Sequence, residues 1–321
     1  MSGDKEKVII DTDCGVDDAQ AIVIALSKQF SDTIDVIGIT CCSGNVFVDQ
    51  VTINVLKVLT VLGRLDIPVY KGTEKPLIPV DFDATHIHGE DGLGNAKDIP
   101  EPDPSMVQSE SAVNFLTRIS QEKPGNITLL AIGPLTNIAL ACRLQPNFGK
   151  CFKKLVIMGG NYQGIGNTAL CAEFNFHFDP EAALVVLSEF TSPIIMITLE
   201  FCRKYFMSQK FLENCLNQGT ACSHFLQKIT ARSRQLHTDG KYGLPIDKIT
   251  IYDELAAAVV VSPSIVISSE HVFATVELEG KYTRGQMVID WRDVLKKRKN
   301  VSIIKEINVE FYKFIFHKTL Q

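Results

Sequence analysis

The chain has 321 residues, 45% of them hydrophobic and 21% charged, with a formal net charge of −5. That is an ordinary globular composition with room for a large core, and its acidic balance argues against nucleic acid or an anionic membrane surface as the main partner. The nine cysteines are odd in number and lack zinc-type spacing, so they read as small apolar residues of a reducing compartment.

In chain order, Val8-Ile9-Ile10 marks a buried strand over residues 7–12, and a helix follows over 17–28. A strand over 35–41 precedes a helix over 46–62 that stops at Gly63. A short strand over 67–70 follows. Helices over 111–121, 135–143 and 180–189 then alternate with strands over 128–132, 155–158 and 194–198. This alternation predicts right-handed β-α-β units and an α/β fold with a single open, mostly parallel sheet flanked by helices. The last third reads as helices over 211–216, 223–235 and 253–261, strands over 272–278, 285–290 and 301–305, and a closing helix over 309–317. No linker, repeat or low-complexity segment interrupts it, so residues 1–321 read as one domain. The N-terminus is polar, without the apolar stretch of a signal peptide, and the longest uncharged run is broken by Gly133-Pro134. The expectation is a cytoplasmic protein with no membrane span.

The chemistry concentrates where the first strand ends. Asp11-Thr12-Asp13-Cys14-Gly15-Val16-Asp17-Asp18-Ala19 places four carboxylates within eight residues. Like charges so close repel unless something positive sits among them, which points to a bound hard cation. Open α/β sheets bind ligands at the carboxyl ends of their strands. A helix N-terminus would account for Asp17 and Asp18, but not for Asp11 and Asp13. Two long irregular stretches, 71–108 and 159–178, are of a length that usually carries function. They contain His86-Ile87-His88-Gly89-Glu90-Asp91-Gly92 and Glu173-Phe174-Asn175-Phe176-His177-Phe178-Asp179. Neither is a phosphate loop. A phosphohydrolase reading of Asp11-x-Asp13 needs Thr or Val where Gly15 stands.

The run Asp-Thr-Asp-x-Gly-x-Asp-Asp-Ala resembles the signature of the inosine–uridine-preferring nucleoside hydrolases. Ser43-Gly44-Asn45, His86-Ile87-His88-Gly89, Ile132-Gly133-Pro134-Leu135-Thr136-Asn137, Met158-Gly159-Gly160, Gly166-Asn167, Ala172-Glu173-Phe174-Asn175 and Asp253 follow in the order that family shows. The resemblance spans about residues 7 to 318. It implies the nucleoside hydrolase fold with its Rossmann-like core, and Ca²⁺-dependent hydrolysis of the N-glycosidic bond of ribonucleosides to ribose and free base, in nucleoside salvage or catabolism. It also implies a homodimer or homotetramer. Carried over residue by residue, Asp13, Asp18 and Asp253 would bind Ca²⁺ with the main-chain carbonyl of Ile132, and Asp13 would also serve as base. Asp17, Asn45, Met158, Asn167, Glu173 and Asn175 would hold the ribose, and His88 would lie near the base or the O5′ side.

One departure stands out. Many family members carry a His just before the last calcium-binding Asp, proposed to protonate the leaving base; here it is Tyr252. A phenol with an ordinary pKa near 10 is a poorer acid, although it can donate a hydrogen bond or stack on a base. His237 is the alternative leaving-group donor, or else a surface residue. The segment 240–245 lies close by in sequence. Asn45 is either a ribose contact or a helix cap. Asn137 and His177 read as structural, and His86 is left open. Loss of the acid would instead give a catalytically silent nucleoside- or ribose-binding protein that keeps the Ca²⁺ site. The basic run Lys296-Lys297-Arg298-Lys299 reads as a solvated turn.

Overall fold

The computed structural model describes residues 5–79, 85–241 and 246–321. Its strands in chain order are β1 (Glu6–Thr12), β2 (Ile34–Cys41), β3 (Val69–Lys71), β4 (Val107–Gln108), β5 (Ile127–Ala131), β6 (Lys154–Met158), β7 (Ile194–Ile197), β8 (Phe206–Ser208), β9 (Lys248–Thr250), β10 (Val266–Val272), β11 (Ala274–Val276), β12 (Met287–Ile289) and β13 (Val301–Ile307). Nine of them form one sheet in the order β10-β13-β7-β6-β5-β1-β2-β3-β4. Every pairing in it is parallel except that of β10 with β13. β8 with β9, and β11 with β12, form two small antiparallel ribbons.

The central strands are apolar on both faces, as parallel strands covered by helices must be. Alternate residues supply different cores. Val8, Ile10, Leu130, Ile132, Val156 and Met158 face one core, packed with the helices Val16–Ala25, Val48–Leu62, Asp253–Val261 and Val309–Thr319. Ile9, Leu129, Ala131, Leu155 and Ile157 face the other, packed with the helices Ala112–Glu122, Thr136–Leu144 and Pro180–Glu189.

The order of connection positions the site. From β1 the chain runs outward through β2, β3 and β4, then returns to lay β5, β6 and β7 on the other side of β1. The strand order therefore reverses beside β1, and such switch points hold ligands at the carboxyl ends of the strands. Those ends are level, because Thr12 is opposite Cys41, Asp11 opposite Ala131, Ala131 opposite Ile157 and Met158 opposite Ile197.

Some expectations shift. The helix expected over 223–235 is two helices, Ala221–Ile229 and Ala231–Thr238, which meet at Thr230. There the Thr230 hydroxyl donates back to the Leu226 carbonyl at 2.7 Å, a local bond that bends helices. The strand expected over 272–278 is divided between β10 and β11, which belong to different sheets. Short helices, Thr85–His88 and Phe174–Phe178, lie within the two long irregular stretches.

Asn137 proves to be a cross-link between strand ends as well as a helix residue. Fully buried, it donates to Asp11 Oδ1 (2.9 Å) and the Cys41 carbonyl (3.0 Å), and accepts from the Thr73 backbone (3.0 Å). Its removal would leave buried acceptors unpaired. Asn137→Ala is expected to destabilise the fold by about 2–4 kcal/mol in urea unfolding, and wild-type stability in that variant would contradict the cross-link.

Candidate functional site

Between the end of β1 and the start of the helix Val16–Ala25, three residues turn the chain through the acidic run. Gly15 caps that helix, and the Asp18 carboxylate folds back onto it. Asp18 accepts from the Gly15 backbone (2.9 Å), the Thr12 hydroxyl (2.5 Å) and the Asn45 amide (3.1 Å). Asp13 Oδ2 accepts from the Asn45 backbone at 2.8 Å. Gly44 has to be glycine here, since a Cβ would lie 2.1 Å from Asp13 Oδ2.

Asp253 opens the helix Asp253–Val261, which packs along Val16–Ala25. Both helices carry acidic residues in their first turns, where the helix dipole favours negative charge. The result is a cluster in which carboxylate oxygens of Asp17, Asp18 and Asp253 lie within 4.8 Å of one another. Asp13 adjoins it, close enough for the Asp18 and Asp17 charges to raise its carboxyl. Asp17 alone among the three is partly exposed.

Burial dominates the electrostatics. It pushes Asp18 up to about 7, and holds Asp13 and Asp253 well above the usual carboxylate range, with the neighbouring Asp charges raising them further. Glu254 is pushed up to about 8 by the same causes. Asp13 Oδ1 is buried without a hydrogen-bond partner. Hard oxygen donors, mutual repulsion and one orphaned oxygen fit a hard divalent cation. Asp11 lies outside this cluster: its Oδ1 is held by the Thr40 hydroxyl (2.5 Å) and the Asn137 amide, and its Oδ2 is likewise buried without a hydrogen-bond partner.

A cavity of about 600 Å³ opens above this cluster. Apart from Asp18, which is fully buried behind it, every residue that the family resemblance carries over lines this space (Asp13, Asp17, Asn45, His88, Ile132, Met158, Asn167, Glu173, Asn175 and Asp253), as do His237 and Tyr252. Glu173 caps the helix Phe174–Phe178. Its carboxylate accepts backbone N–H groups of Asn175 (3.0 Å), Gly160 (2.8 Å) and Phe176 (3.2 Å), yet burial still raises it to about 7. The Asn175 amide donates to the carbonyls of Ile132 (3.2 Å) and Met158 (3.1 Å). That bond leaves the Ile132 carbonyl a second lone pair.

His88 Nδ1 accepts the Val16 backbone N–H at 3.2 Å and lies 3.8 Å from Asp17. Burial lowers its pKa, so the ring is neutral with its proton on Nε2. Asn45 does not cap a helix. The helix Val48–Leu62 begins after Phe47, and the Ser43 hydroxyl takes the Val48 N–H instead. His237 is a buried cavity residue on the helix Ala231–Thr238, not a surface one. Burial holds the Tyr252 hydroxyl above its ordinary value. His86 lines the cavity, whereas His177 does not. Residues 242–245 of the nearby 240–245 segment lie outside the described residues.

Other contributors were not anticipated. Thr12 and Asn54 hold the acidic turn, the latter by donating to the carbonyls of Cys14 (3.0 Å) and Asp91 (2.8 Å). Gln20 lines the cavity one helical turn beyond Asp17, a spacing that could have marked it. Phe206, Ile249 and Thr250 come from the β8–β9 ribbon, and Arg203 and Ser233 from nearby helices. No sequence signal marks these.

The family model for inosine-uridine preferring nucleoside hydrolases matches residues 8–313. The pyrimidine-specific ribonucleoside hydrolase RihA of Citrobacter koseri is 34% identical over 301 residues, covering 94% of this chain and 93% of that protein. The inosine-uridine preferring nucleoside hydrolase of Crithidia fasciculata is 32% identical over 310 residues, covering 96% and 95%. Among solved structures, a plant nucleoside hydrolase superposes with a TM-score of 0.89 at 30% identity, covering 99% of each chain. A sheet whose order reverses beside an acidic turn, and a chain matched over nearly its whole length, lead to one conclusion: this protein belongs to the inosine-uridine preferring nucleoside hydrolase family, hydrolases acting on N-glycosyl compounds.

Proposed function

We propose that the chain is a Ca²⁺-dependent ribonucleoside hydrolase that releases free base and ribose. The observation that carries this reading is the set of buried, mutually repelling carboxylates on the floor of the cavity, with Asp13 Oδ1 unpartnered. Asp13, Asp18 and Asp253 would hold Ca²⁺ with the Ile132 carbonyl. When bound, the ion would keep these carboxylates ionised and orient oxygen ligands over the cavity floor.

The residues of the chain divide the remaining work. Asp13 accepts the proton of a water that attacks the anomeric carbon. Asp17, the exposed member of the cluster, takes a ribose hydroxyl beside it. Glu173, Asn175, Asn45, Asn167 and Met158 hold the sugar, and their negative and dipolar groups favour the oxocarbenium-like charge that develops as the bond breaks. The Nε2–H of His88 is a fixed donor toward the O5′ side or the base. Tyr252 offers a ring face and a hydrogen bond, but no acid near neutral pH, so proton delivery to the leaving base falls to His237.

The raised Tyr252 hydroxyl also favours a second reading, a ribose- or nucleoside-binding protein without turnover. The relatives differ in the bases their names record, so base preference is open to assay. We place the enzyme in the cytoplasm, in nucleoside salvage or catabolism, as a homodimer or homotetramer. Nine unpaired cysteines accord with a reducing compartment.

Chromatography of a panel of uridine, cytidine, inosine, adenosine and guanosine, with Ca²⁺ and with chelator, tests the assignment. Base release that stops on chelation is expected, with 2′-deoxy analogues at least about a hundredfold slower because buried partners of the hydroxyl go unpaired. Saturable binding with no release from any member would shift the reading to the silent binder. Asp13→Asn is expected to lower kcat by about 10²–10⁴ while circular dichroism stays native, and near-native turnover would rule out Asp13 as base.

A further inference from the structure

The helix Leu199–Lys204 follows β7 and carries Glu200 and Arg203 one turn apart. Both side chains reach the same neighbour, the loop that leads from β6 to Glu173. Glu200 Oε1 accepts the backbone N–H groups of Tyr162 (2.8 Å) and Gln163 (2.7 Å). Arg203 donates from one terminal nitrogen to the Ile165 carbonyl (3.4 Å) and from the other to the Gly166 carbonyl (2.9 Å). Asn167 and Thr168 come immediately after, and both line the cavity.

Apolar packing does little to fix this turn. Its large apolar side chains point outward, with Ile165 58% and Leu170 72% exposed. Two backbone bonds close it on itself, Gly166 N to Leu170 O (3.0 Å) and Asn167 N to Ala172 O (3.4 Å). Its placement over the cavity therefore depends on side-chain bonds to its backbone: the charged clip from one helix, and the Asn161 amide, which donates to the Cys171 carbonyl (2.8 Å) and accepts the Glu173 N–H (3.3 Å). Each terminal nitrogen of Arg203 gives one N–H to a loop carbonyl, and the side chain also lines the cavity, so its action through the loop has to be separated from direct contact with a ligand by experiment.

We propose that Arg203, acting with Glu200 on the same loop, is a positioning residue that sets Asn167 and Thr168 against the ribose, so that nucleoside affinity depends on a side chain of the cavity wall acting through the loop. This inference rests on the hydrolase reading of the cavity. A planar guanidinium can reach two successive carbonyls, whereas a lysine ammonium at the same place is a single point donor.

The test joins limited chymotrypsin digestion with kinetics on the best substrate of the ribonucleoside panel. Arg203→Ala is expected to be cut at Tyr162 or Leu170 about tenfold faster than wild type, with Arg203→Lys intermediate. KM should rise about tenfold while kcat changes less than about threefold. The effect of Arg203→Ala should then shrink in an Asn167→Ala background, since part of it passes through Asn167. Unchanged digestion, or effects of the two substitutions that add in full, would overturn the proposal. If Arg203→Ala fails to fold, the same comparisons with Arg203→Lys decide the matter. A wild-type protein with no turnover would fail the hydrolase reading, and the digestion pattern would still judge the clip.

Discussion

Mutual repulsion among buried carboxylates is the constraint around which this molecule is arranged. Asp13, Asp18 and Asp253 are almost fully removed from water, and each is pushed toward its protonated form by burial and by neighbouring carboxylate charge, that of Asp17 above all for Asp18 and Asp253 and that of Asp18 for Asp13. Burying charge in this way is costly unless something compensates it. Part of the compensation is built in. Two helix N-termini converge on the cluster, and Thr12, Gly15 and Asn45 donate to Asp18. In our account the remainder is left to a cation, and the orphaned Asp13 oxygen is open to it.

The sheet supplies the rigidity this arrangement needs. Three strand ends, β1, β5 and β6, hold Asp13, Ile132 and Met158 at one level. The outer walls are built differently. The short helix Thr85–His88, the helix Ala231–Thr238 and the β8–β9 ribbon approach from separate parts of the chain, and Arg232 ties the first two together through the carbonyls of Thr85 (3.4 Å) and His86 (3.2 Å). A floor that holds the ribose, with walls assembled from separate segments of the chain, would in our account let base preference change without disturbing the floor. In our account Tyr252 and His237 divide between them the tasks of stacking on the base and protonating it.

Much of this was legible in the sequence, for identifiable reasons. The strands β1, β2, β5, β6 and β7 are buried on both faces and read as continuous apolar runs. β10 is an edge strand whose middle residues face solvent, so no such run marks it. The break at Thr230 depends on a single hydroxyl, which helical periodicity does not register. The acidic turn announced itself because its residues are adjacent in the chain, and the family resemblance extended it to Asp253, whose place beside Asp18 depends on helix packing. The supporting residues stayed hidden because their partners are remote in sequence. Asn137 meets Asp11, Asn54 meets Asp91, and Arg203 meets Gly166 only once the sheet has formed. Composition alone also gave no way to set Asp11, bonded to Thr40 and Asn137, apart from the carboxylates that cluster.

The central claim is that a hard cation neutralises these carboxylates. Calorimetric titration of Ca²⁺ into the chelator-treated protein, in two buffers of different ionisation enthalpy near pH 7, tests it directly. With Asp18 raised to about 7, and Asp13 and Asp253 held well above the usual carboxylate range by burial, part of the cluster carries protons before the ion arrives. The account predicts saturable binding that releases protons and tightens as pH rises, because the ligands must ionise. Absence of saturable binding, or binding with no proton release at any pH between about 6 and 8, would contradict it.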